Sequence, residues 1–314
     1  MIFRRILATL FCLAIAFPAA RSVQAAAAHL ILDAQTGFVL EQVNARDKRQ
    51  IGSLTKVATA MVVLDWSEKG GGDLNQVATI PPEAFAGTGD NLIGFQPGDR
   101  ITLRDLLYAA LVQSDNIAAY TLAQHVGIAL QPVVPSAGNG TPVAIFVGQM
   151  NVLAKTLRMD RTRFVNPHGI DTDVRPMPFS TASDLGRLSR YAVNKAAFRF
   201  YVSQKERQIS FNRGPTKKGY LLRNTNELLG TNNVDGVKTG RTARAGDCLI
   251  LSAHREPQIV KHDGGTSVIQ RHLIVVMLGS ANRFGEGAQL LARGWQLHDQ
   301  WLAGGRMLDP KKTL

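Results

Sequence analysis

The sequence predicts a mixed α+β fold: a five-stranded, mainly antiparallel sheet packed with a helical lobe. Two observations predict it. Strand-like apolar runs gather at both ends of the 314-residue chain, at 29–34 and 38–43 early and at 234–239, 247–254 and 272–278 late. Between them, from Ser53 to about Asn194, the patterns are mostly helical. The first two strands then join the last three in one sheet, and the inserted helices form a second lobe. A cleft is expected at the seam, where sites commonly lie.

The elements follow in order. The turn Gln35-Thr36-Gly37 joins the first two strands. Residues 57–64, Val-Ala-Thr-Ala-Met-Val-Val-Leu, are apolar almost all round, so this helix is expected to be buried. Thr102-Leu103-Arg104-Asp105 reads as a capping box opening a helix over 103–112. Another helix, over 117–126, follows Asn116, and Ser180-Thr181-Ala182-Ser183-Asp184 opens one more. A helix over 285–301 closes the chain. Residues 131–142, rich in Pro, Gly and Ser, and residues 256–270, a lengthened hairpin turn, read as surface loops. A tolerated insertion is the plainer reading of both; contact with a partner is the other.

Residues 1–25 read as a signal peptide. Arg4 and Arg5 precede an apolar run over 6–17, and Val23-Gln24-Ala25 fits a small-x-small cleavage site before Ala26. Twelve apolar residues ending at Pro18 are too few to span a bilayer comfortably. The chain is therefore expected to be exported, to a periplasm or cell envelope. Cys12 leaves with the signal and Cys248 is then alone, so no internal disulfide is expected. Its run Cys248-Leu249-Ile250-Leu251 suits a buried structural thiol. The formal charge of +12 falls to +9 once Arg4, Arg5 and Arg21 are removed. In an exported chain this basic balance points to anionic cell-wall or lipid surroundings and away from nucleic acid. The seven histidines show no His-Glu-x-x-His or paired-ligand spacing, so no metal and no cofactor is expected.

Three motifs carry chemistry: Ser53-Leu54-Thr55-Lys56, Ser114-Asp115-Asn116 and Lys238-Thr239-Gly240. Singly they are weak; Ser210 with Asn212 and Ser280 with Asn282 also fit the second spacing. Ser53 and Lys56 lie one turn apart at the start of the buried helix. Burial and the positive helix end both favour a neutral amine, a general base beside its nucleophile. The alternative is a plain helix cap, with Lys56 reaching out to solvent. Ser114 and Asn116 sit at a helix junction, as a proton relay and an amide grip on substrate, or again as caps, with Asp115 structural. Lys238 and Thr239 end a strand and present positive charge and a hydroxyl to an anionic group. Gly240 lets a substrate backbone approach the strand edge.

In combination these residues resemble the serine D-alanyl-D-alanine carboxypeptidases, the low-molecular-mass penicillin-binding proteins. Asp33-Ala34-Gln35-Thr36-Gly37 is similar to the family's opening hairpin, and Phe164-Val165-Asn166-Pro167-His168-Gly169 to its loop after the helical lobe. Residues 224–230 and Asp235-Gly236-Val237 resemble the lead-in to its Lys-Thr-Gly strand. The likeness spans roughly residues 28–295.

The resemblance implies a β-lactamase/DD-peptidase-like fold and a role for each matching residue. Ser53 is the acylated nucleophile and Lys56 its base. Ser114 with Lys238 returns a proton to the leaving D-alanine. Asn116 holds the substrate peptide, and Thr239 with Gly240 lies near its terminal carboxylate. The backbone N–H groups of Ser53 and Arg241 form an oxyanion hole. Arg283 binds the carboxylate, with Arg241 and Arg244 as local competitors, and His168 makes structural hydrogen bonds. The implied activity is removal of the terminal D-alanine from peptidoglycan pentapeptide stems, with β-lactam antibiotics as covalent inhibitors. A D,D-endopeptidase acting on cross-links is the alternative. A β-lactamase fits less well, because no glutamate lies near Asn166-Pro167-His168-Gly169. A non-catalytic wall-binding module fits poorly with an intact trio. Residues 26–314 are expected to form the catalytic domain, with its sheet from 26–50 plus 205–314 and its helical lobe over about 53–200. The ending at Leu314 leaves no C-terminal β-domain or amphipathic anchor, so at most peripheral membrane association is expected.

Overall fold

A computed structural model of the chain describes residues 26–133, 140–262 and 264–314. The expected signal segment, with Arg4, Arg5 and Cys12, lies outside the described residues.

The main sheet is built from both ends of the chain, as its apolar runs predict. β1 (Ala28–Asp33), β2 (Val39–Val43), β7 (Val234–Thr242), β8 (Gly246–His262) and β9 (Gly265–Ser280) run in the order β2-β1-β9-β8-β7. Every neighbouring pair is antiparallel. Alternate residues serve two layers. Leu30, Leu32, Ile250, Ile274 and Val276 face the helical lobe. Ile31, Leu249, Leu251, Leu273 and Val275 face Leu290, Leu291 and Trp295 of α7 (Arg283–Ala303). Burial of both faces explains why these strands read as unbroken apolar runs.

The lobe centres on α1 (Thr55–Gly70), whose residues 55–64 are all buried. Around it pack α2 (Leu103–Leu111), α3 (Asn116–Leu130), α4 (Pro142–Thr156), α5 (Ala182–Val193) and α6 (Ala196–Val202). The caps are those the sequence signals. Thr102 Oγ1 accepts from Asp105 N at 3.1 Å, and Thr181 Oγ1 accepts from Asp184 N at 3.0 Å.

Two expectations are corrected. Residues 256–270 are not a loop: β8 and β9 continue as a paired ribbon, from Gln258 opposite Ile269 to His262 opposite Gly265. Cross-strand ladder bonds and β-branched residues sustain it, while solvent on both sides keeps it polar enough to read as a turn. Residues 206–223 do not join the main sheet. β5 (Glu206–Arg213) and β6 (Thr216–Arg223) pair in a second, four-stranded sheet with β3 (Val77–Thr79) and β4 (Arg100–Thr102). Phe211 packs edge-on against Phe95 there, with ring centroids 5.1 Å apart. β3 and β4 are too short to show an alternating pattern, and β5 and β6 bury only Ile209, Phe211 and Leu222, which hides this sheet in the sequence. Of residues 131–142, Gln131–Val133 form a 3-10 turn and Thr141 caps α4, while 134–139 lie outside the described residues.

Cys248 is buried on β8, and burial pushes its thiol up to about 11. Among the described residues no helix is long and apolar enough to cross a membrane.

Candidate active site

Ser53 lies in a 3-10 turn, Gly52–Leu54, that feeds directly into α1. It caps no helix; no side-chain cap bond forms at either start. Its hydroxyl instead meets Lys56, and Lys56 does not reach solvent: it is fully buried. The Lys56 ammonium donates to Ser53 Oγ at 2.8 Å, Asn116 Oδ1 at 2.6 Å and the backbone carbonyl of His168 at 3.0 Å. Burial lowers the amine from 10.5 to about 7, against the opposing pull of Asp115.

The Ser114-Asp115-Asn116 junction divides its labour. Asp115 is the N-cap of α3, accepting from Ala118 N at 2.7 Å. Burial raises its carboxyl to about 6, although that hydrogen bond and the charge of Lys56 pull the other way. Asn116 begins α3. Its amide nitrogen donates to Thr88 O at 2.6 Å, so both ends of the amide are engaged and its orientation is fixed. Ser114 adopts φ +67°, and its hydroxyl has no partner among the described residues. A left-handed serine between two helices is strained, and that strain turns the residue out of the helical path.

The loop Asn166-Pro167-His168-Gly169 locks the other side. Asn166 Oδ1 accepts from Gly169 N at 2.7 Å, and Thr59 Oγ1 donates to Pro167 O at 2.6 Å. Gly169, at φ +91°, sits so close to the nucleophile turn that an added Cβ would lie 1.9 Å from Gly52 O. The His168 ring accepts from Ile170 N at 3.2 Å. Burial, with Lys56 nearby, lowers it to about 3, so it is neutral and structural. Its backbone carbonyl was not legible as a Lys56 acceptor, because a main-chain oxygen leaves no mark in residue type.

The third motif lies on β7. Lys238 is buried and donates to Thr239 O at 3.0 Å. Burial, reinforced by the charges of Lys56 and Arg283, pushes its amine well below 10.5. Thr239 Oγ1 lies 2.7 Å from Thr225 Oγ1. Gly240 makes room for the chain's own backbone: a Cβ there would lie 2.7 Å from Ile51 O and 3.1 Å from Leu54 N. The side on which a Cβ would project is filled by the turn that carries Ser53. The Arg241 side chain is exposed and lies 3.5 Å from Asp247, while its backbone nitrogen borders Gly52. Arg283 is mostly buried; its Nη1 donates to Gly240 O at 3.2 Å and Asp247 Oδ1 at 3.4 Å. Its Nε is buried with no partner among the described residues. Arg244 is exposed.

A serine and a buried lysine at the seam of a sheet and a helical lobe, faced by a Lys-Thr-Gly strand, define the DD-peptidase fold. Residues 16–261 match the S11 peptidase family, described as D-alanyl-D-alanine carboxypeptidase, and the chain belongs to that family. D-alanyl-D-alanine carboxypeptidase DacC of Escherichia coli (strain K12) is 32% identical over 298 residues, 90% of this chain. The chain spans 66% of that relative's length, just under two thirds. The crystal structure of the Streptomyces K15 DD-transpeptidase superposes with a TM-score of 0.73 at 27% identity, covering 87% of this chain and 97% of that one. Penicillin-binding protein D2 from Listeria monocytogenes, in its ampicillin-bound form, superposes with a TM-score of 0.66 at 28% identity, covering 86% of this chain and 97% of that one.

Proposed function

We propose that the protein is a serine D-Ala-D-Ala carboxypeptidase that trims the terminal D-alanine from peptidoglycan pentapeptide stems. One observation carries the reading: the buried Lys56 amine at 2.8 Å from Ser53 Oγ. Two of its three partners, Asn116 Oδ1 and the His168 carbonyl, can only accept. When Lys56 loses one proton, its two remaining N–H bonds stay on those acceptors. The lone pair is left facing Ser53, the one partner with a proton to give.

The steps follow. Lys56 takes the Ser53 proton as Oγ attacks the carbonyl carbon of the penultimate D-alanine. The backbone N–H groups of Ser53 and Arg241 receive the oxyanion. The C–N bond breaks and the departing amine takes a proton through Ser114 and Lys238. Water then hydrolyses the Ser53 ester. The substrate carboxylate binds by Thr239 and Lys238, with Arg283 Nε as the spare charged donor. Asn116 is assigned to hold Lys56, and a grip on the substrate peptide requires it to release Thr88 O. β-Lactams acylate the same serine and leave slowly, because no glutamate adjoins His168 to activate water. Residues 1–25 are removed on export to the cell envelope, and residues 26 onward act as the catalytic domain.

A fluorescent penicillin tests the reading, wild type against Ser53→Ala, together with D-alanine release from a pentapeptide ending in D-Ala-D-Ala. Labelling lost in the variant, with release by the wild type, is expected. Labelling without release would move the assignment to a D,D-endopeptidase. No labelling of a folded wild type would overturn it.

A further inference from the structure

We propose that Asp235, His254 and His272 form a binding site for a divalent transition-metal ion, which ties three adjacent strands of the main sheet together. Asp235 stands on β7, His254 on β8 and His272 on β9. Each offers one ligand atom, and these atoms all lie within 4.8 Å of one another. Asp235 Oδ2 is 2.7 Å from His254 Nδ1. The two imidazoles stack, with centroids 3.7 Å apart and planes 24° apart.

An aspartate beside one histidine is ordinary on a protein surface. Two further observations set this cluster apart. The second imidazole is buried, with Ser252 Oγ at 2.7 Å from its Nε2. That hydroxyl orients the His272 ring, as outer partners do in metal centres. Asp235 Oδ1 is buried and has no partner among the described residues, a lone carboxylate oxygen that a cation would satisfy.

The donor set defines the ion. Two imidazoles and one carboxylate suit zinc and its neighbours, with a fourth position left for water. The ligands are far apart in sequence and come from three strands, so no local spacing announces them.

The site has a consequence for the third motif. Asp235 precedes Lys238 by three residues on the same strand. A bound ion would fix the strand that carries Lys238, Thr239 and Gly240 against β8 and β9.

The test is calorimetric titration of the whole chain, free of added purification histidines, with Zn²⁺ alone. One ion per chain is expected, with a rise in Tm that a chelator reverses. Co²⁺ should give visible absorption bands of a nitrogen- and oxygen-ligated ion. His254→Gln and Asp235→Asn alter half-exposed side chains, and circular dichroism checks their folding. Each is expected to weaken binding more than about 100-fold, beyond the roughly 10–100-fold loss typical of an outer partner such as Ser252→Ala. Equal zinc binding by wild type and both variants would overturn the proposal. So would a wild type that binds no zinc more tightly than about 1 mM.

Discussion

Lys56 Nζ lies 2.8 Å from Ser53 Oγ, and the lysine has no exposed surface through which to keep its proton hydrated. In the roles proposed for them, base and nucleophile are thus matched by burial. Since the amine is lowered to about 7, the neutral base predominates above that pH and is protonated below it. Acylation of Ser53 by a penicillin is expected to rise about tenfold per pH unit below 7 and to level off above it. Lys56→Arg, cationic at every accessible pH, should slow acylation by about 10³-fold or more and abolish that limb. Stopped-flow labelling across pH 5–9 (roughly, on the scale of the lysine's titration) measures both.

Asn116 offers a second handle on the same proton. Its Oδ1 accepts from Lys56 at 2.6 Å, so Asn116→Asp would place a carboxylate against a buried amine. An opposite charge at that distance raises a lysine by about 1–3 units. The pH–rate midpoint should move up by that amount, and acylation at pH 7 should fall about 5–500-fold while recovering at high pH. A variant inactive at every pH would instead mean that the amide itself is needed on the substrate.

Much of this site was legible in residue type. Ser53 and Lys56 meet through side chains one helical turn apart, and such spacing foretells the meeting; the contact of Lys56 with Asn116, sixty residues on, was not foretold. The main sheet was legible because both its faces are buried, which leaves runs such as Leu273–Leu278 unbroken. What stayed hidden depends on shape or main chain. The His168 carbonyl carries no residue signature. The role of Gly240 shows only when the nucleophile turn is seen against β7. The ribbon over 256–270 looked like a loop, because strands wetted on both faces lack an apolar stripe.

Gly169 tests the shape argument. An added Cβ would lie 1.9 Å from Gly52 O and 2.7 Å from Thr55 Oγ1, at a φ of +91° that disfavours any side chain. Backbone must shift on one side or the other. Gly169→Ala is expected to cost about 2–4 kcal/mol of stability and to slow acylation by at least about tenfold, because the displaced turn carries Ser53. Gly148, with open space around it, is the control: Gly148→Ala on α4 should stabilise slightly, by about 0.5–1 kcal/mol. Urea melts and penicillin labelling of the two variants separate a local steric cause from a general sensitivity.

Asp33 carries the final prediction, far from the chemistry. Its Oδ1 accepts from Thr36 N at 2.8 Å and Thr36 Oγ1 at 2.6 Å, closing the hairpin that joins β1 to β2. Its Oδ2 faces His298 Nε2 of α7 at 3.4 Å, and both residues are fully buried. Burial alone would raise the carboxyl; the contacts with His298 and Thr36 outweigh it and leave the group below 3.8. The folded state therefore binds this proton less readily than the unfolded chain. Its contribution to stability is present above pH 3.8 and is lost as pH falls through the lower folded value. Asp33→Asn should lower Tm at neutral pH, and its Tm should decline less steeply than the wild type's as the solution is acidified below pH 4 (roughly the carboxyl's unfolded value). Asp33→Ala removes the turn acceptor as well and should cost about 3 kcal/mol. Parallel Tm–pH curves for wild type and Asp33→Asn would mean that this carboxylate is not the group whose protonation loosens the hairpin.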